Sequence, residues 1–158
     1  MKDILCVPPP MPWLGFWERL FGVREDTTCQ GDQFVQTAMQ RAEAEDWAGA
    51  MKALAAALAR EPRSPYIHCL IGDCYHSAGY DNLAKPFYDE TIRLSGRWKY
   101  NGNVESAMYS LACILHKEGQ VEAAIFLYNK LLAKSPSGLC KKKVSARLRA
   151  IAQGTDHT

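Results

Sequence analysis

The stretch that decides the fold runs His68-Cys69-Leu70-Ile71-Gly72-Asp73-Cys74-Tyr75 and, beyond a turn at Gly79, Leu83-Ala84-Lys85-Pro86-Phe87-Tyr88-Asp89-Glu90-Thr91. It predicts two helices in sequence, and its pattern recurs on both sides. Ala50, Ala84 and Ala124 fall in equivalent slots, followed four residues later by Leu54, Tyr88 and Tyr128, then three further on by Ala57, Thr91 and Leu131. Upstream, Thr37-Ala38, Ile71-Gly72 and Leu111-Ala112 each place a larger residue before a tiny one, with Arg41, Tyr75 and Leu115 three residues beyond. The tiny residues have a steric reason. Ala38, Gly72 and Ala112 admit the paired helix closely, the three alanines do so from its side, and the large residues after them fill the groove between neighbours.

A fixed-period recurrence of helix, turn and helix resembles the tetratricopeptide repeat, a unit of about 34 residues. The resemblance covers roughly residues 31–136, about two-thirds of the chain, and is fullest in the middle unit at Ile71, Gly72, Tyr75, Ala84 and Tyr88. The departures are specific. The usually aromatic first position holds Phe34, His68 and Met108, and unit one has Arg41 at a second aromatic position. Units one and three close on Pro62 and Pro136, but unit two closes on Gly96. The spacing between units two and three is six residues too long, around Gly96–Gly102. Pro86 stands early in its helix, where proline is tolerated only within the first turn.

The expected fold is all-α: three tetratricopeptide-like repeats in a right-handed α-α superhelix, with an N-terminal aromatic helix and a C-terminal basic capping helix. The divisions are 1–30 for the Pro-rich lead and aromatic helix, 31–64, 65–98 and 105–136 for the repeats, and 137–158 for the cap and tail. Helices are expected near 32–45, 47–60, 65–78, 82–95, 104–118, 121–134 and 138–153, with turns at Gly79 and Gly119 and at Glu45-Asp46 in unit one. In the last of these, Leu139, Val144, Leu148 and Ile151 oppose Lys141, Lys142, Lys143, Arg147 and Arg149, the two-faced pattern of a solenoid end.

Residues 12–23 are the least ordinary segment. After Pro8-Pro9-Pro10, a stiff extended lead-in, Pro12 suits a first helical position and Gly22 a stop. Trp13, Phe16, Trp17, Leu20 and Phe21 share one helical face, opposite Gly15, Glu18, Arg19 and Gly22. Three roles fit that face: packing on the chain's own repeat array, pairing with a second copy, and lying on a membrane surface. A single basic residue on the polar side weighs against the third.

The whole-chain numbers narrow the class. With 158 residues, 47% hydrophobic and 23% charged, the composition is that of an ordinary folded domain. A net charge of +2, from 19 basic against 17 acidic residues, is not the bias of a nucleic-acid binder. No apolar run approaches the roughly 20 residues that span a bilayer. No export signal is recognisable before Pro8, so the expected location is cytoplasmic and the six scattered cysteines are expected as thiols.

The resemblance implies that the first helix of each unit lines a concave groove. That assigns Val35, Met39, Ala42 and Glu43 from unit one, Tyr66, Cys69, Asp73 and His76 from unit two, and Tyr109, Cys113 and His116 from unit three. The slots with which one subclass grips a C-terminal carboxylate hold Val35, Met39, Leu70, Ser106 and Ser110, so that mode is not expected. An apolar groove suits an extended or helical apolar peptide. Cys69-x4-Cys74-x-His76 contains metal-ligand residue types, but positions i and i+5 on a helix diverge by about 140°. No phosphate-binding loop, dinucleotide fingerprint or nucleophile elbow is present. The expectation is therefore a protein-binding module, an adaptor, scaffold or assembly factor, with no catalytic residues, metal or cofactor. Alternatives are a chaperone for an export substrate, by analogy with bacterial secretion chaperones of similar length, and a homo-oligomeric scaffold joined through the aromatic helix.

Overall fold

The computed structural model describes residues 33–44, 46–96, 102–135 and 138–154. Among these residues there are seven helices: α1 (Gln33–Glu43), α2 (Trp47–Arg60), α3 (Pro65–Ser77), α4 (Asp81–Ser95), α5 (Gly102–Lys117), α6 (Val121–Lys134) and α7 (Gly138–Gln153). The fold is all-α and tetratricopeptide-like, and each helix end lies within two residues of its sequence expectation. Antiparallel pairs α1/α2, α3/α4 and α5/α6 stack in chain order, α3 lies beside α5, and α7 closes on α6. Three expectations fall outside the described residues: the aromatic face Trp13, Phe16, Trp17, Leu20 and Phe21, the insertion at 97–101, and Pro136.

Local chemistry fixes the helix ends. Gly79 and Gly119 adopt φ of 80° and 81°, the left-handed conformation open to a residue without Cβ. At the first, the Tyr80 and Gly79 amides donate to the carbonyls of Tyr75 and His76, each at 2.9 Å; Gln120 and Gly119 repeat this on Leu115 and His116. Unit one lacks the glycine but keeps the longer bond, from the Asp46 amide to the Arg41 carbonyl at 2.8 Å. Asp46 then caps α2, its carboxylate accepting from the Gly49 amide at 2.9 Å and from Arg41 Nη1 at 2.6 Å. This explains Arg41 at an aromatic position: it is recruited to the turn.

The nesting is steric. A Cβ at residue 72 would stand 2.8 Å from Cε1 of Tyr88, so only glycine lets that ring lie on α3. Ala50, Ala84, Ala112 and Ala124 are fully buried, and Ala38 nearly so, at the matching crossings. The core falls into three clusters set along the stack. One gathers Val35, Ala38, Trp47, Leu54, Ile67 and Leu70; the next Cys69, Ala84, Tyr88, Ala107 and Ile114; the last Met108, Tyr128, Leu131, Cys140 and Val144. Each cluster takes residues from adjacent helix pairs, or from the last pair and α7, as a nearest-neighbour stack requires. Val144 and Cys140 bury the inner side of α7 while Lys141 and Lys142 stay exposed.

Pro86 corrects an expectation. It is the sixth residue of α4, beyond the first turn, and the helix runs through it. Proline removes the amide that would bond the Asn82 carbonyl. Both residues are exposed, so water can serve that carbonyl and the helix survives.

Candidate functional site

The first helices of the pairs, α1, α3 and α5, form the inner wall, and the nine residues assigned to it separate into two groups. Met39, His76, Tyr109, Cys113 and His116 are partly buried, whereas Val35, Tyr66, Cys69 and Asp73 are buried. Val35 belongs to the first core cluster. Cys69 packs between units, its sulfur 3.6 Å from the Asn103 carbonyl and 3.8 Å from Oδ2 of Asp73. Tyr66 meets Met39 across the α1/α3 boundary, its hydroxyl 3.8 Å from the sulfur.

The centre of the wall is more polar than its composition implies. Asp73 accepts a hydrogen bond at 2.9 Å from the hydroxyl of Tyr88, which is fully buried. Burial foremost, then the Asp73 charge, pushes the Tyr88 phenol well above its ordinary range, so it stays a donor. On α5, Oδ1 of Asn103 and Oγ of Ser106 are buried without a hydrogen-bond partner. Asn103 lies ahead of the first repeat position, so the repeat alignment carries no expectation there. Glu105, 1% exposed, accepts from the Ser135 hydroxyl at 2.5 Å; this buried pair, like Trp47 at 2% exposure, was not legible from periodicity.

At the unit-three end, Cys113 Sγ lies 3.3 Å from the Tyr128 hydroxyl, and the rings of Tyr109 and Tyr128 are tilted 57° with centroids 5.9 Å apart. Burial raises both phenols above the usual tyrosine range, with neighbouring Cys113 adding to it. His76 turns to Asp81 at 2.6 Å, and Lys117 of the next unit holds the other oxygen of that carboxylate at 2.9 Å. Val121 stands where unit two has Asp81, so the histidine arrangement is not repeated at His116.

The thiol of Cys74 is buried, and desolvation, then the nearby Asp73 charge, pushes it up to about 12, which makes it a poor nucleophile at neutral pH. Among the described residues no group of three His, Cys, Asp or Glu side chains is placed to hold a metal ion. Nor is any helix among them long and apolar enough to cross a membrane.

Comparison with known proteins agrees with this geometry at one place. Residues 105–136, which hold α5, α6 and the turn between them, match the tetratricopeptide repeat family. No curated protein matches the chain. The chain thus carries a tetratricopeptide repeat within an all-α stack of like helix pairs, and its class is that of protein–protein interaction modules.

Proposed function

We propose that the chain receives an apolar segment of a partner protein along the inner wall of α1, α3 and α5, serving as an adaptor or assembly module in the cytoplasm. The observation that carries this is the row of partly exposed side chains Met39, His76, Tyr109, Cys113 and His116 on successive first helices. They offer a thioether, an aromatic ring and a thiol with few fixed charges, the surface an amphipathic helix or extended apolar peptide covers. A basic or acidic guest finds no matching row of charges there.

The test is selection of displayed peptides on the full chain, followed by affinity measurement with Met39→Glu and Tyr109→Glu. Selected peptides are expected to be apolar or aromatic, and each substitution to weaken them at least tenfold. Phe126→Ser, at an exposed ring on α6, is expected to leave affinity unchanged. Peptides lost with Phe126→Ser and indifferent to both wall substitutions would place the binding surface elsewhere.

A further inference from the structure

We propose that the resident occupant of this wall is the chain's own aromatic segment, Trp13–Phe21, seated in cis against α3 and α5, so that a partner binds by displacing it. The inference rests on the wall being a binding surface.

Four observations carry it. First, Tyr66, Asp73 and Ser106 occupy wall positions yet keep only 3%, 4% and 3% of their surface exposed. The close helix pairs among the described residues are all neighbours in the stack, so none of those helices lies across the wall. Second, Asn103 Oδ1 and Ser106 Oγ are buried and unpartnered in a mainly apolar setting. An unpaired buried acceptor costs about 1–3 kcal/mol, so the cover should bring isolated donors on an apolar body. Tryptophan fits that description, an indole with a single N–H and no acceptor. Trp13 and Trp17 share one face with Phe16, Leu20 and Phe21, and no carboxylate on that face would meet Asp73.

Third, the tether reaches. Residues 22–32 join the segment to α1, and eleven residues span at most about 36–40 Å. Adjacent helices lie about 8–10 Å apart, so the whole wall is within range. Fourth, tethering gives the segment an effective concentration on the order of millimolar, enough to favour the chain's own helix over a second copy in dilute solution.

The experiment uses the full chain with p-benzoylphenylalanine in place of Phe16 and, independently, of Phe21. After irradiation, the expected product keeps monomer mass and carries cross-links to residues 66–73 or 102–113. A dimer-mass product linked to the same residues would assign the wall to a second copy and overturn cis occupancy. Cross-links confined to other surfaces, or none, would overturn it as well. In the full chain, Trp13→Ala with Trp17→Ala is expected to raise the affinity of wall-binding peptides at least tenfold; unchanged affinity would count against displacement. The two readings can fail separately. Cross-links in the wall without any wall-binding peptide would remove the adaptor function alone, whereas peptides bound at Tyr109 without such cross-links would remove the cis occupant alone.

Discussion

The ring of Tyr88 lies against the backbone of Gly72, with Cε1 and Cδ1 at 2.8 and 2.9 Å from where a Cβ would stand. Two opposing effects therefore meet in Gly72→Ala. Helix propensity favours alanine by about 0.5–1 kcal/mol, whereas overpacking costs typically about 1–3 kcal/mol. Tyr88 is fully buried and has no room to swing aside, so the clash prevails. The expected outcome is a net loss of about 1–2 kcal/mol in urea denaturation with an unchanged m-value. A variant as stable as the parent would show that close approach at this crossing is not what specifies the pair.

Tyr88→Phe isolates the hydroxyl from the ring. It retains the packing on Gly72 and removes one donor from the buried Asp73 carboxylate. Loss of a hydrogen bond to a buried charged group costs about 1.5–3 kcal/mol. A loss in that range by chemical denaturation is expected, with little change in helical content by circular dichroism. Loss of less than about 0.5 kcal/mol would mean that the bond carries no net stability.

Units two and three are also joined at their rim, where Lys117 Nζ is 2.9 Å from Asp81. Burial alone would raise the Asp81 carboxyl; the bonds from Lys117 and His76 outweigh it and hold the group below its ordinary value of 3.8. A depressed folded-state pKa gives stability that is present above the unfolded value and lost as pH falls through the folded one, so this contribution disappears only below about pH 4. Lys117 is 63% exposed, which limits the coupling to about 0.2–1 kcal/mol. A double-mutant cycle of Asp81→Asn and Lys117→Met should read that coupling at pH 7 and none at pH 2.

The nested helices were legible because their rule is local and periodic: a tiny residue such as Gly72, then a large one such as Tyr88 placed to fill the space it leaves. Burial at the wall was less legible. Val35 and Cys69 hold the same repeat position as Tyr109, yet both are buried while Tyr109 is partly exposed. That difference depends on what each neighbouring unit presents, as when the start of α5 brings the Asn103 carbonyl to Cys69. Arg41 likewise looked like a defect in the pattern until its partner Asp46, across the turn, came into view. Sequence position gives the face of a helix; it does not give the neighbour's contribution to burial.

Alkaline pH should act through the same interior. Burial pushes the Cys74 thiol from 9.0 up to about 12 and Cys140 up to about 11. An acid whose folded pKa is raised ionises more easily in the unfolded chain, so its contribution is full below about pH 9 and is lost as pH rises through the folded value. Stability measured by urea at pH 8, 9 and 10 is therefore expected to fall, more steeply in the last interval. Cys74→Ala lowers stability at every pH but removes up to one proton from the slope, about 1.4 kcal/mol per pH unit. Parallel pH profiles for parent and variant would refute the buried-thiol account.

Pro86 offers the opposite kind of test, a substitution expected to stabilise. At the sixth position of α4 it denies the Asn82 carbonyl its helical donor, and a proline in a helix interior costs about 3 kcal/mol. Two effects reduce that here. The carbonyl's residue is exposed and open to water. Proline also restricts the unfolded chain, which favours folding by about 0.4–1 kcal/mol. Pro86→Ala restores the amide and the bond while disturbing no buried contact, since the ring is exposed. A gain of about 1–2 kcal/mol is expected, raising Tm by about 2–8 °C for a chain of this size. Hydrogen exchange at residue 86 should show a protected amide. A Tm at or below the parent's would mean that the proline is part of how α4 meets its neighbours, and that the break in its hydrogen-bond ladder serves the packing.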